Sequence, residues 1–234
     1  MSTLILLPGL ACDAGIWHAL LPLLQQHHRV QVSTVHTRLA DLPAMAAALL
    51  AETSGPLLLA GCSMGGMLAL EVWRQAPQRV RGLALLGTTA RADTPELLAL
   101  RRQAIELFAA GRMEEVLRAN VLFAFHPLAA ARPGLVQDYL AMIRRAGPEQ
   151  LIAQNRAVMA RADRRAMLPR ITCPVLVACG EADQITPPEH AREMAAAIAG
   201  ARLEIVPGAG HMLTLEQPAR LGQLLLGWLT RVET

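Results

Sequence analysis

The segment Gly61-Cys62-Ser63-Met64-Gly65-Gly66 constrains this chain more than any other stretch. An apolar run, Pro56 to Ala60, leads into it, and a helical pattern, Met67 to Gln75, leads out. The order is strand, tight turn, helix. A residue at the apex of such a turn is held at strained backbone angles with its side chain exposed. Glycine stands on either side because a Cβ there would collide with the neighbouring strand and helix. The following helix begins beneath Ser63, so its amide dipoles favour negative charge at that point. A nucleophile that attacks a carbonyl needs those conditions.

The rest of the chain supplies a frame for such a turn. Short apolar runs, Leu4 to Leu7, Val30 to Val35, Leu57 to Ala60, Leu83 to Leu86, Val175 to Cys179 and Leu203 to Val206, read as strands. Helical patterns lie between them at Trp17 to Gln26, Leu42 to Glu52, Met67 to Gln75, Glu189 to Ala199 and Pro218 to Thr230. Strands separated by helices predict an α/β fold: a mostly parallel sheet of about six strands with helices on both faces. Between Arg91 and Arg170 no strand pattern appears. Pro95 to Ala110, Met113 to Phe123, Gly134 to Ala146 and Pro148 to Arg161 read as helices, broken at Gly111, His126-Pro127, Pro133-Gly134 and Gly147-Pro148. The expected division is a core of residues 1–90 and 171–234, with 91–170 inserted as a helical cap. Aromatic residues are only 3% of the chain, so Leu, Ala, Val and Met must fill the interior.

A serine hydroxyl is a poor nucleophile near neutral pH. It needs a base to take its proton and a third group to orient that base. Of the seven histidines, His211 is the one that follows a strand into a glycine-rich loop, Pro207-Gly208-Ala209-Gly210. Parallel sheets build their sites at such carboxyl ends. Two carboxylates follow the run ending at Cys179: Glu181 and Asp183. Asp183 is preferred because the later position reaches further round toward His211. An oxyanion needs two backbone N–H donors. Met64, after the nucleophile, offers one. Leu10, in the loop Pro8-Gly9-Leu10-Ala11-Cys12 after the first strand, offers the other.

These pieces together resemble the α/β-hydrolase fold family, in its small, capped, esterase-like form. The order Ser63, Asp183, His211 is the family's order. The matching segments are Leu6 to Leu10, Gly61 to Gly66, Pro174 to Asp183 with Pro187, and Gly210-His211 followed by Glu216 and Pro218. They span nearly all of the chain outside the cap. The chain departs from the family in three ways. Pro8-Gly9 stands where His-Gly is common. The segment Val35 to Leu39 runs almost directly into Ala40-Asp41-Leu42, shortening one rim of the pocket. The family's first antiparallel hairpin is expected to be missing.

The resemblance implies hydrolysis of a carboxylic ester, or a related lactone or thioester, through an acyl-enzyme on Ser63. A lyase or carbon–carbon bond hydrolase on the same three residues, and a non-catalytic ligand receptor, are the alternatives. Phe123, Phe125, Ile185 and Met212 are expected to line an apolar substrate pocket with Leu10 and Met64. No cofactor or metal is expected: Cys12, Cys62, Cys173 and Cys179 have neither metal-ligand nor disulfide-framework spacing, and reduced thiols suit the cytoplasm. Residues 91–170 carry 13 arginines against 8 carboxylates, although the whole chain is only +3. That local excess could steer an anionic carrier such as an acyl-carrier protein or coenzyme A thioester. No basic cluster with interleaved aromatics points to nucleic acid. No run of about 18 apolar residues points to a membrane span, and the stretch Leu4 to Leu7 is too short for a secretory signal.

Overall fold

The structure, a computed structural model, describes residues 2–233. Its six strands are β1 (Thr3–Leu7), β2 (Arg29–Val32), β3 (Leu57–Cys62), β4 (Val80–Leu86), β5 (Val175–Gly180) and β6 (Arg202–Val206). They form one sheet in the order β2-β1-β3-β4-β5-β6, and every pairing is parallel. The chain moves outward from β1 to β2, then crosses back to place β3 on the other side of β1. That reversal is the topological switch point, where the two loops leaving adjacent strands diverge and open a crevice. Leu7 pairs with Gly61 there, so the loops after β1 and β3 start side by side.

Alternation along the strands sorts the core into two layers. Leu4, Leu6, Leu58, Ala60, Leu86 and Leu176 face one side, with Trp17, Leu20 and Leu24. Ile5, Leu7, Leu59, Leu83, Leu85 and Val177 face the other. Helix α1 (Leu21–Gln25) covers the first layer; α2 (Leu42–Glu52) and α3 (Met64–Gln75) cover the second. The expected helix from Trp17 to Gln26 is instead a 3₁₀ turn, Ala14–Trp17, followed by α1. Asp13 caps the turn through Gly15 N–H, and Pro22, lacking an N–H, starts the next helix afresh. Likewise β2 ends at Val32, short of the expected Val35; it is an edge strand, and Val35–Thr37 turns away as a 3₁₀ element.

Between β4 and β5 lie α4 (Pro95–Ala109), α5 (Met113–Ala124), α6 (Pro127–Ala130) and α7 (Leu135–Met159), with no strand. The two helices expected around Gly147-Pro148 are present: α7 is broken at Gly147, whose φ 77°, ψ 168° is not helical, and a second helix starts at Pro148. This insertion packs Phe108, Leu117, Tyr139, Ile143 and Leu151 onto the first layer, while Ala157 and Val158 near the end of α7 join the second. The chain is completed by α8 (Pro188–Ala197), α9 (Leu213–Glu216) and α10 (Pro218–Glu233). On α10, Leu221, Leu225 and Trp228 bury into the first layer, and Trp228 Nε1 donates to Pro174 O at 3.1 Å. Each such fully buried side chain is worth about 1.5–3 kcal/mol.

Candidate active site

The turn from β3 to α3 brings backbone unusually close to backbone. A Cβ on Gly65 would fall onto the Leu7 carbonyl, and one on Gly61 onto the Gly65 carbonyl. Ser63 takes φ 53°, ψ −117°, one of two non-glycine residues with positive φ among those described. Its N–H donates to Leu86 O at 2.9 Å, and its carbonyl accepts from Thr88 Oγ1 at 2.6 Å. The strained residue is therefore held from both sides.

His211 Nε2 lies 2.9 Å from Ser63 Oγ. On its other side, His211 Nδ1 lies 2.9 Å from Asp183 Oδ2 and 3.0 Å from Oδ1. An ionised carboxylate only accepts, so Nδ1 carries the hydrogen and Nε2 is free to accept from the serine hydroxyl. Asp183 and His211 are buried. Asp183 also accepts from Thr186 N–H at 2.8 Å, Ile185 N–H at 2.9 Å and Thr186 Oγ1 at 2.9 Å. Burial pushes the Asp183 carboxyl up, but the charge and hydrogen bond of His211 and the Thr186 donors outweigh it, and the net shift is downward. Glu181, the rival acid, turns away: its Oε1 accepts from Gly208 N–H at 2.6 Å.

Sequence reasoning missed the supports of this arrangement. Glu216 is buried and accepts from Gly210 N–H at 3.0 Å and from His126 N–H at 2.8 Å, tying the His211 loop to the insertion. His211 N–H and Met212 N–H both donate to Ala124 O at the end of α5. Gln154, on α7, reaches the loop after β1: its Oε1 accepts from Ala11 N–H at 2.6 Å, and its Nε2 donates to His36 O at 2.9 Å. His36 Nε2 in turn holds Cys12 O at 2.8 Å. Ala11 is the other positive-φ residue, at 59°. Glu216 belongs to the segment matched after His211 and Thr186 stands next to the matched Pro187, but the pattern gives neither a supporting role. Nothing in the pattern of α7 distinguishes Gln154 from a solvent-facing glutamine.

The clamped loop runs past the serine; a Cβ on Gly9 would sit 3.4 Å from Ser63 Cβ. Leu10 N–H and Met64 N–H donate to no group among the described residues. For Met64, the first residue of α3, this follows from its place in the helix. A cavity of about 250 Å³ opens beside them, lined by Leu10, Ser63, Met64, Ile185, His211 and Met212. Two expected lining residues are corrected. Phe123 is 50% exposed, a turn beyond the part of α5 that faces the cavity, and Phe125 is buried edge-on against Tyr139 with ring centroids 5.1 Å apart. Neither touches the cavity, whose outer wall comes from α4, α5 and α7, including Leu97, Phe108, Leu117, Tyr139 and Leu151. Burial pushes the Cys62 thiol up to about 12 and also raises the Cys12 thiol and the Tyr139 phenol, so none of these lining groups is an anion near neutral pH. Among the described residues no group of three or more His, Cys, Asp or Glu could hold a metal ion.

A model of the alpha/beta hydrolase family matches residues 4–224. The chain belongs to that family. Within it, the chain is 27% identical to a pimeloyl-[acyl-carrier protein] methyl ester esterase of Xanthomonas oryzae pv. oryzae, over 98% of this chain and 95% of that one. It is 30% identical to the dihydrolipoyllysine-residue acetyltransferase component of an acetoin cleaving system from Pseudomonas putida, over 74% of this chain. The match spans only 45% of that longer relative. Among solved structures, a thermophilic esterase from Thermogutta terrifontis, with malate bound, superposes with a TM-score of 0.90 at 29% identity, covering 100% of this chain and 91% of that one. This hydrolase contains no helix among its described residues that is long and apolar enough to cross a membrane.

Proposed function

We propose that the protein hydrolyses carboxylic esters through an acyl-enzyme on Ser63. One observation carries this: an unbroken hydrogen-bond chain, Ser63–His211–Asp183, ends in an apolar cavity beside two unpaired backbone amides. The esterase relatives and the fold match support the same chemistry.

Ser63 Oγ attacks the ester carbonyl carbon as its proton moves to His211 Nε2. Asp183, ionised and held by Thr186 and Ile185, stabilises the imidazolium. The carbonyl oxygen becomes an oxyanion between Leu10 N–H and Met64 N–H, at the positive end of α3. Collapse breaks the bond to the leaving alcohol, which takes the proton from Nε2. Water then gives a proton to Nε2 and attacks the acyl carbon. The tetrahedral adduct expels Ser63 Oγ, which recovers the proton, and the carboxylic acid leaves. Lactones and thioesters fit the same steps. Residues 91–170 serve as the cap that closes the acyl cavity.

The substrate class is a small acyl ester, set by the cavity. An acyl-carrier protein or coenzyme A as carrier is supported by the name of the Xanthomonas relative and by the excess of positive charge over residues 91–170. Arg144 and Arg145 already pair with Glu114 and Asp13, so steering would act through the overall field, not through free guanidiniums at those positions. A cytoplasmic setting is supported by four free cysteines.

A serine-directed phosphonylating reagent should label the wild type and not Ser63→Ala, and the variant should lose p-nitrophenyl ester turnover by roughly four orders of magnitude or more. Hydrolysis retained by Ser63→Ala would overturn the proposal.

A further inference from the structure

The cavity wall contains one charged group that ester cleavage does not use. Arg101 lines the cavity, on the same face of α4 as Leu97, Leu100, Ala104 and Phe108. Its Nε donates to Asp93 Oδ2 at 2.7 Å, and its Nη1 donates to Asn155 Oδ1 at 2.9 Å. Its Nη2 donates to no group among the described residues. Asp93, with a side chain only 1% exposed, is shared: Arg161 Nη2 holds its other oxygen at 2.7 Å. One carboxylate therefore faces two guanidiniums, and one positive charge is left over. No Asp or Glu lines the cavity to balance it. The Arg101 side chain keeps 24% of its surface exposed, so this surplus charge is open to a ligand rather than sealed in the protein.

We infer that Arg101 is an anion subsite, and that the substrate carries a carboxylate remote from the scissile ester. This rests on the ester-hydrolase proposal and specifies its substrate. A carboxylate suits the site better than a phosphate dianion because the excess is a single charge and the surroundings are apolar. The Nη2 hydrogens that remain unpaired are fitted to a planar acceptor. Asn155, already fixed by donating from Nδ2 to Leu151 O at 2.8 Å, keeps the guanidinium plane in place. The cavity is small, about 250 Å³, so the chain between the carboxylate and the ester is short. The class is thus the monoesters of short dicarboxylic acids, such as monomethyl glutarate.

The test compares monomethyl glutarate with methyl valerate, which replaces the carboxylate by a methyl group at nearly the same length. Methanol release by the wild type should favour monomethyl glutarate by about ten- to hundred-fold in kcat/KM, chiefly through KM. Arg101→Gln should collapse that ratio, and Arg101→Lys, which keeps the charge and loses the planar fork, should restore part of it. A wild-type ratio near one, or a ratio unchanged in Arg101→Gln, overturns the inference; in the second case Arg101 only joins α4 to α7. If Arg101→Gln does not fold, the wild-type ratio still decides. Calorimetric binding of monomethyl glutarate to Ser63→Ala separates the two proposals. Tight, carboxylate-dependent binding without turnover by the wild type supports the subsite and defeats the hydrolase. Turnover of both esters without preference does the reverse.

Discussion

Gln154→Leu tests how far the insertion sets the chemistry of a loop more than 140 positions earlier in the chain. The side chain is 1% exposed and makes two buried hydrogen bonds, 2.6 Å from Ala11 N–H and 2.9 Å to His36 O. Leucine fills similar space and makes neither. Each unpaired buried group costs about 1–3 kcal/mol. Some of that is offset by the apolar side chain, so a net loss of about 3 kcal/mol is expected. At about 2–4 °C per kcal/mol for a domain of this size, the melting temperature should fall by about 6–12 °C. The second effect is on rate. Ala11 is held at φ 59°, and without its anchor the loop can relax, moving Leu10 N–H away from the developing oxyanion. Complete loss of such a donor costs about 10²–10³ in kcat, so partial displacement should cost about tenfold or more. Because the donor acts on the transition state, KM should change little. Thermal unfolding by circular dichroism and initial ester-hydrolysis rates well below either melting temperature check both. A lower melting temperature with kcat intact would refute the positioning argument. Unchanged values of both would show that the two hydrogen bonds hold nothing.

Two further outcomes follow from the site. The Asp183 carboxyl lies below its unfolded value of about 3.9, so its ionised form stabilises the fold above that pH and the contribution disappears as pH falls through the lower, folded value. Asp183→Asn should therefore be less stable than the wild type at neutral pH, with the gap in melting temperature narrowing below about pH 4; a gap constant with pH would contradict the downward shift. Gly65→Ala places a Cβ on the Leu7 carbonyl, backbone against backbone, and should destabilise by on the order of 4 kcal/mol or prevent folding. A soluble, active Gly65→Ala protein with an unshifted melt would mean the β1–α3 approach is looser than described.

Local pattern carried much of the architecture. The strand runs, the alanine-rich α2 and the turn at Ser63 are legible because periodicity and glycine placement are properties of neighbouring residues. The spacing of Ser63, Asp183 and His211 along loops that leave parallel strands places all three at one end of the sheet, since every such strand points the same way. The extent of helix α1 and of strand β2 was less legible, because a 3₁₀ cap and an edge position override the local pattern.

By itself, then, the sequence determined the sheet, its polarity and the three residues gathered at its carboxyl edge. Tertiary structure alone decided which groups line the cavity and which hold the loops. Phe123 and Phe125 look like pocket residues from composition, yet helix length and packing against Tyr139 carry them elsewhere. Gln154 and Arg101 look like ordinary polar residues on helices, yet each meets groups distant in sequence. Periodicity reports which face of an element turns inward; it holds no information on which distant backbone group or charge that face will meet, because that depends on how the elements dock.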